Sequence, residues 1–304
     1  METQAGTEEF SHTVAGSGPA RGMTFTGKRR LVQDGTVAPD TPLIVALPGG
    51  TYTSEYFDIP RYSLLDRASA LGVPVLAIDR PGYRGSTPVE PGESIILKNA
   101  EVLEHLIAEL WDAYGTGTAG VVLIGHSIGG ATVCALAARR PSWPLLGIAV
   151  SGCLLEVPAE SGAAWAALPD VPVVELPAEV KGFVMFGPEW TYREEMPQAS
   201  SPSDSPVPKA ELLDITGGWI GRVRATVGEI TVPVHARQGE FDRLWITDAK
   251  QMEEFRQAFA AAPWVDARLV RSAGHCIDFH RQGAAFQLEQ LAFALSCCIQ
   301  PAGD

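Results

Sequence analysis

The chain has 304 residues, 46% apolar and 19% charged, so it can bury a large core and does not read as a disordered polymer. Its formal charge of −13 repels nucleic-acid phosphates and anionic lipid headgroups, which leaves a small molecule as the expected partner, with no nucleic acid and no membrane. The five cysteines, Cys134, Cys153, Cys276, Cys297 and Cys298, are odd in number and form no CxxC pair; a reducing, cytoplasmic setting is expected.

Residues 1–20 are polar, contain Gly and Ser, and lack the apolar stretch of a signal peptide; a flexible N-terminal arm is expected there. Residues 22–33, with Met23-Thr24-Phe25-Thr26 and Leu31-Val32, read as an antiparallel hairpin. Short apolar runs follow at Leu43–Leu47, Val75–Ile78, Val121–Ile124, Leu145–Val150, Val232–Ala236 and Ala267–Val270. Such continuous runs suit parallel strands covered on both faces. Helical patterns lie between them. Ile96, Ala100, Leu103, Leu106, Ile107, Leu110 and Tyr114 form one apolar face. Ala131 to Arg139 stops before Pro141, Ala249 to Ala262 stops before Pro263, and Ala284 to Cys297 closes the chain. Strands alternating with helices predict a doubly wound α/β sheet. No apolar run approaches the roughly 20 residues of a membrane span.

Residues 157–230 break this rhythm. They are rich in Pro and Ser, yet they hold Trp165, Phe183, Met185, Phe186, Trp190, Tyr192, Met196 and Trp219. A stretch this long in a compact domain is a lid, a binding loop or disorder, and the aromatics argue against disorder. The expectation is an inserted cap over the C-terminal edge of the sheet, with the core formed by 21–156 and 231–304. Met185, Trp190 and Trp219 of the cap, with Thr51 and Tyr52, are the expected substrate contacts. The same apolar residues could instead pack a small core of their own or form a homodimer contact.

Gly125-His126-Ser127-Ile128-Gly129 matches G-x-S-x-G directly after one expected strand and before an expected helix. A serine there sits on a sharp, crowded turn, where glycines on either side remove clashing side chains. The turn lifts the hydroxyl above the sheet, and the helix N-terminus favours developing negative charge. Ser127 is the expected nucleophile.

At these residues the chain resembles the α/β-hydrolase superfamily. The loop Asp79-Arg80-Pro81-Gly82-Tyr83-Arg84-Gly85-Ser86 is similar to the D-x-P-G-x-G-x-S loop of that superfamily, and the match runs from about residue 22 to 299 with the cap loosely matched. The resemblance implies a mostly parallel, eight-stranded, doubly wound sheet with an inserted helical cap. In relatives, the turn after the first strong strand begins His-Gly and gives one backbone N–H to an oxyanion hole. Here it reads Leu47-Pro48-Gly49-Gly50-Thr51, with Pro48 in place of the His. By position, Gly50 and Ile128 are the implied donors, with Thr51 as the alternative to Gly50. The superfamily places its base in the loop after the last strand, which is Ser272-Ala273-Gly274-His275-Cys276. That implies His275, with His280 as runner-up. Gly239-Glu240-Phe241-Asp242-Arg243 resembles the turn carrying the acid, implying Asp242, with Glu240 and Asp278 as rivals. The order Ser127, Asp242, His275 is the one expected for this fold.

The turn Pro48-Gly49-Gly50 followed by Tyr56-Phe57-Asp58 is similar to that of zearalenone-type lactonases. Some of those relatives take their acid from the strand after the nucleophile helix. The corresponding Ala149-Val150-Ser151-Gly152-Cys153 has no carboxylate, and Glu156 comes only later. The expected activity is hydrolysis of a carboxylic ester or lactone of a small, largely apolar or aromatic molecule, with no cofactor and no metal. C–C bond hydrolysis and acyl transfer would use the same triad. A ligand receptor and a cofactor-free cyclase or lyase are the readings from other classes.

Overall fold

The structure, a computed structural model, describes residues 6–32 and 37–299. Its strands are β1 (Glu8–Thr13), β2 (Thr24–Arg30), β3 (Leu43–Leu47), β4 (Val75–Ile78), β5 (Val121–His126), β6 (Leu145–Ser151), β7 (Val173–Val174), β8 (Val207–Pro208), β9 (Val234–Gly239) and β10 (Val265–Val270). The helices are α1 (Leu64–Ala70), α2 (Ile95–Tyr114), α3 (Ile128–Ala138), α4 (Ala159–Ala166), α5 (Ala178–Met185), α6 (Met196–Ser200), α7 (Lys209–Thr216), α8 (Gly218–Gly228), α9 (Ala249–Ala258) and α10 (Gly283–Ser296).

Eight strands form one sheet in the order β1-β2-β4-β3-β5-β6-β9-β10. The run from β4 to β10 is parallel, and β1 and β2 are antiparallel at one edge. This is the mostly parallel α/β sheet expected. Every residue of β3 is buried. Leu43, Val45 and Leu47 join the apolar core on one face, and Ile44 and Ala46 join the core on the other. A period-2 backbone puts successive side chains on opposite faces, so a sheet with two cores needs unbroken apolar runs. α2 starts where the Ser94 hydroxyl accepts from the Leu97 N–H at 3.2 Å. α3 is buried from Ile128 through Ala137, packed between sheet, α2 and α8. Its run of Gly and Ala lets the neighbouring backbones come close.

Two expectations at the N-terminus are corrected. Residues 8–13, expected in a flexible arm, form β1, and residues 1–5 lie outside the described residues. The hairpin expected within 22–33 is instead β1 with β2, paired from Glu8↔Arg29 to Thr13↔Thr24. β1 is an edge strand with one buried residue in six, Phe10, so its sequence lacks the apolar alternation that marks a strand. The Phe10 ring lies over Gly27, where an added Cβ would come within 2.7 Å of it.

The chain between β6 and β9 holds α4 to α8 and a two-residue ladder of β7 with β8. α7 packs on α2, α3 and α4, and α8 packs on α3 and α9. Among the described residues no helix is long and apolar enough to cross a membrane.

If β1 is an integral strand, Phe10→Ala should lower unfolding free energy by about 3 kcal/mol, the cost of truncating a buried aromatic. Urea denaturation checks this; a loss below ~0.5 kcal/mol, the ordinary range for surface substitutions, would mark residues 8–13 as a dispensable arm after all.

Candidate active site

β5 ends at His126 and α3 begins at Ile128, leaving Ser127 alone in the turn at φ +53° and ψ −121°. That conformation is strained for a residue with a Cβ. Its surroundings hold it there. The Ser127 N–H donates to the Ser151 carbonyl of β6 at 2.7 Å, and the Ala131 N–H donates to the Ser127 carbonyl at 2.9 Å. An added Cβ at Gly125 would lie 2.6 Å from the Gly129 carbonyl oxygen, and one at Gly129 would lie 2.3 Å from that of Leu47. Both positions accept only glycine.

β3 neighbours β5 in the sheet, so the turn after β3 lies against this elbow. A Cβ at Gly49 would be 3.0 Å from Ser127 Cβ, and one at Gly50 would be 2.8 Å from Ile128 Cδ1. Ile128 is the first residue of α3, so its N–H has no partner within the helix.

β9 and β10 are adjacent, and the loops leaving them bring the expected acid and base together. His275 Nδ1 and Asp242 Oδ2 are 2.6 Å apart, both side chains fully out of solvent. A carboxylate can only accept, so Nδ1 is the donor of this hydrogen bond. Nε2 is buried with no hydrogen-bond partner, Ser127 Oγ included. Such bonds commonly close only with substrate in place. Asp242 is itself held: Gln238 Nε2 donates to Oδ2, and the Leu244 N–H donates to Oδ1 at 2.8 Å.

The rivals are engaged elsewhere. Glu240 is exposed and accepts from the Ser272 N–H at 2.9 Å. Asp278 accepts from the Tyr56 hydroxyl at 2.9 Å and from Gln287 at 2.6 Å. Glu156, after β6, is exposed. His280 Nδ1 donates to the Cys276 carbonyl at 2.8 Å, and its Nε2 accepts from the Gly274 and Gly187 N–H groups at 2.9 and 3.2 Å. It clamps the loop that carries His275. His126 stacks on Tyr56 with ring centroids 4.9 Å apart, and its Nδ1 lies 3.2 Å from Ser151 Oγ.

Above Ser127 lies a small cavity of about 40 Å³. Gly50, Thr51, Ser127 and Ile128 form its floor. Val157, Trp165, Leu176, Met185, Leu212, Ile215 and Thr216 of the inserted segment and Leu244 and Trp245 after β9 form the rest. Of the expected substrate contacts, Thr51 and Met185 line it, and three do not. Trp190 is 60% exposed and packs edge-on against Phe241. Trp219 is buried within α8. Tyr52 is buried beneath, with the Lys181 ammonium 3.9 Å from its ring centre and the Cys276 thiol donating to its hydroxyl at 3.5 Å. Aromatic content drew attention to these three, but packing direction decides what faces a cavity. Leu212 and Ile215, spaced i, i+3 on α7, carried a readable signal of one apolar face.

A model of the alpha/beta hydrolase family matches residues 44–286, from β3 through the start of α10. The chain belongs to the alpha/beta hydrolase family. No curated protein sequence matches it significantly. Among solved structures, an esterase from Thermogutta terrifontis with malate bound superposes with a TM-score of 0.66 at 16% identity, over 96% of this chain and 100% of the other. A monoacylglycerol lipase from Paleococcus ferrophilus gives 0.60 at 20% identity, over 86% and 97%. An N-acyl homoserine lactonase complexed with N-hexanoyl homoserine gives 0.63 at 15%, over 98% and 100%. At these identities the likeness is one of fold.

Burial sets the electrostatics of this hydrolase site. It pushes the Cys276 thiol up to about 12, which favours the protonated form of this neighbour of His275. Burial, with the His275 ring alongside, holds His126 well below the ordinary imidazole range. Among the described residues no group of three or more His, Cys, Asp or Glu side chains is placed to hold a metal.

Burial also pushes the His280 imidazole down to about 4. A base depressed in the folded state binds fewer protons there than when unfolded, so stability is full above about 6.5 and is lost as pH falls towards 4. From pH 7 to pH 5 this residue should remove about 2 kcal/mol. Urea unfolding at the two pH values should show the wild type losing more than His280→Gln by about that amount; equal losses would contradict the clamp.

Proposed function

We propose that this protein is a serine hydrolase that cleaves a carboxylic ester or lactone of a small, largely apolar or aromatic molecule through an acyl-enzyme. One observation carries the reading: Ser127 opens onto an apolar cavity from a strained elbow, and the ring of His275, oriented by a buried carboxylate, lies 4.8 Å from that of His126, the residue before Ser127. A serine hydroxyl becomes nucleophilic when a base takes its proton as it attacks. In this reading His275 Nε2 takes that proton while Ser127 Oγ bonds to the substrate carbonyl carbon. The Gly50 and Ile128 N–H groups hold the resulting oxyanion. The intermediate collapses, the C–O bond to the leaving group breaks, and His275 returns the proton to the departing oxygen. Water then gives a proton to His275 and its oxygen to the acyl carbon, releasing the acid and restoring Ser127. Asp242 keeps the hydrogen on Nδ1 and stabilises the transient imidazolium.

The lining favours an apolar substrate because a buried polar group without a partner is costly there. A cavity of about 40 Å³ is well below the ~300 Å³ at which ligand pockets begin, so a substrate enters only when the inserted segment yields.

Treatment with an alkyl fluorophosphonate should add one phosphonyl group to the wild type at Ser127, read by mass spectrometry, and none to Ser127→Ala. A folded wild type that does not label would sink the acyl-enzyme. Labelling without turnover on a panel of aryl esters and macrolactones would point to a ligand-binding protein on this fold. On a substrate that does turn over, Asp242→Asn should cut kcat about 10⁴-fold, as expected for a wrong tautomer. Glu240→Gln should stay within about threefold; the reverse pattern would move the acid to Glu240.

A further inference from the structure

Among the described residues, three that carry a hydroxyl line the cavity: Ser127, Thr51 and Thr216. Ser127 is the proposed nucleophile. Thr216 donates to the Leu212 carbonyl at 2.9 Å, so its hydrogen is spent within α7. Thr51 is different. Its residue is 2% exposed, and its Oγ1 is buried with no hydrogen-bond partner. A buried hydroxyl left unpaired is rare and destabilising, and one that persists in a binding site calls for a ligand that completes it.

The backbone points the same way. Thr51 sits at φ +66°, in the left-handed region where a β-branched residue is strained and glycine is not. The two residues before it, Gly49 and Gly50, show that glycine is available to this turn. The inserted segment supplies the restraint. Lys181 Nζ donates to the Thr51 carbonyl at 3.0 Å, and the Ser205 N–H donates to the same oxygen at 2.9 Å. Two residues on, the chain is pinned again, with the Thr53 N–H donating to the Ser203 carbonyl at 2.9 Å. Two donors drawn from the insertion thus hold a strained threonine whose hydroxyl has nothing to bind in the protein. Strain retained by surrounding structure beside a nucleophile is a sign of function.

We propose that the Thr51 hydroxyl is a third donor to the substrate carbonyl oxygen, joining the Gly50 and Ile128 N–H groups as negative charge develops. It rests on the serine-hydrolase reading above. The hydroxyl gives a hydrogen bond and transfers no proton, so His275 remains the only acid and base. Lys181 is a positioning residue, acting through the Thr51 carbonyl.

Three substitutions separate the hydroxyl from the fold, assayed on the aryl ester that the wild type turns over fastest. Thr51→Val keeps the shape and removes the donor. Thr51→Gly removes the donor and relieves the backbone. Thr51→Ser keeps the donor. The expected result is a fall in kcat of about 10²-fold for the first two, typical of one lost oxyanion donor, with KM within about threefold. Thr51→Ser should hold kcat within about threefold, and Thr51→Gly should unfold no lower in temperature than the wild type. Wild-type turnover by Thr51→Val or Thr51→Gly would overturn the proposal. So would a Thr51→Ser enzyme as slow as Thr51→Val, which would assign the role to the methyl group. Fluorophosphonate labelling of the wild type keeps the two levels apart: unaffected variants with a labelled wild type remove only the Thr51 role, and an unlabelled wild type removes the acyl-enzyme and the donor together.

Discussion

A methyl group at position 129 would lie 2.3 Å from the Leu47 carbonyl oxygen and 2.4 Å from that of Pro48. No relaxation of a side chain relieves that contact, because both partners are backbone. The start of α3 is thereby pressed onto the end of β3, and the two turns that matter, the elbow at Ser127 and the loop Pro48-Gly49-Gly50-Thr51, are placed by one approach. The strand order does the rest. β3 lies beside β5 at the point where strand order reverses, and the loops after β9 and β10 reach towards it, with the His275 ring 4.8 Å from that of His126.

The inserted segment is part of the site as well as its roof. Glu211 of α7 is fully buried and accepts from the Arg80 guanidinium, from the Tyr83 hydroxyl at 2.6 Å and from Asn99 at 2.9 Å. Arg80 in turn donates through Nε to the Pro48 carbonyl at 2.8 Å. Stripping one partner from a buried pair of this kind typically costs about 3–5 kcal/mol, because the remaining charge has nowhere to go. Asp214, one turn further along α7, accepts from the Ser94 hydroxyl at 2.6 Å and the Ile96 N–H at 3.1 Å at the start of α2. With Lys181 on the Thr51 carbonyl, charged groups hold both ends of the turn after β3, and two of them come from the insertion. The apolar lining closes over Ser127, while the polar anchors set the turn that faces it.

Much of this was legible in the sequence because it rests on local patterns. Leu43–Leu47 and Val121–Ile124 are apolar without interruption, which is what a strand between two cores requires. Gly125 and Gly129 flank a serine between strand and helix because the turn admits no side chain at either position. His275 and Asp242 were singled out through resemblance, and the structure brings them to 2.6 Å of each other. β1 was not legible: an edge strand buries one residue in six and has no alternation to read. Nor were Glu211 and Lys181, each a single polar residue whose partner lies about 130 residues away in the chain. Trp190 and Trp219 misled because an aromatic ring needs burial or a partner, and neither need specifies a cavity.

The sequence by itself determined the family's sheet, the turn that carries Ser127 and the order in which serine, carboxylate and imidazole follow one another. Those features are written in spacing, where each residue answers to its near neighbours through backbone sterics and strand or helix period. Only the tertiary structure decided what closes over Ser127, which hydroxyl is left unpaired there, and how the turn after β3 is held. Those are settled by contacts across 100 residues or more, such as Arg80 with Glu211 and Lys181 with Thr51, where no period links the partners and only the folded chain makes them neighbours.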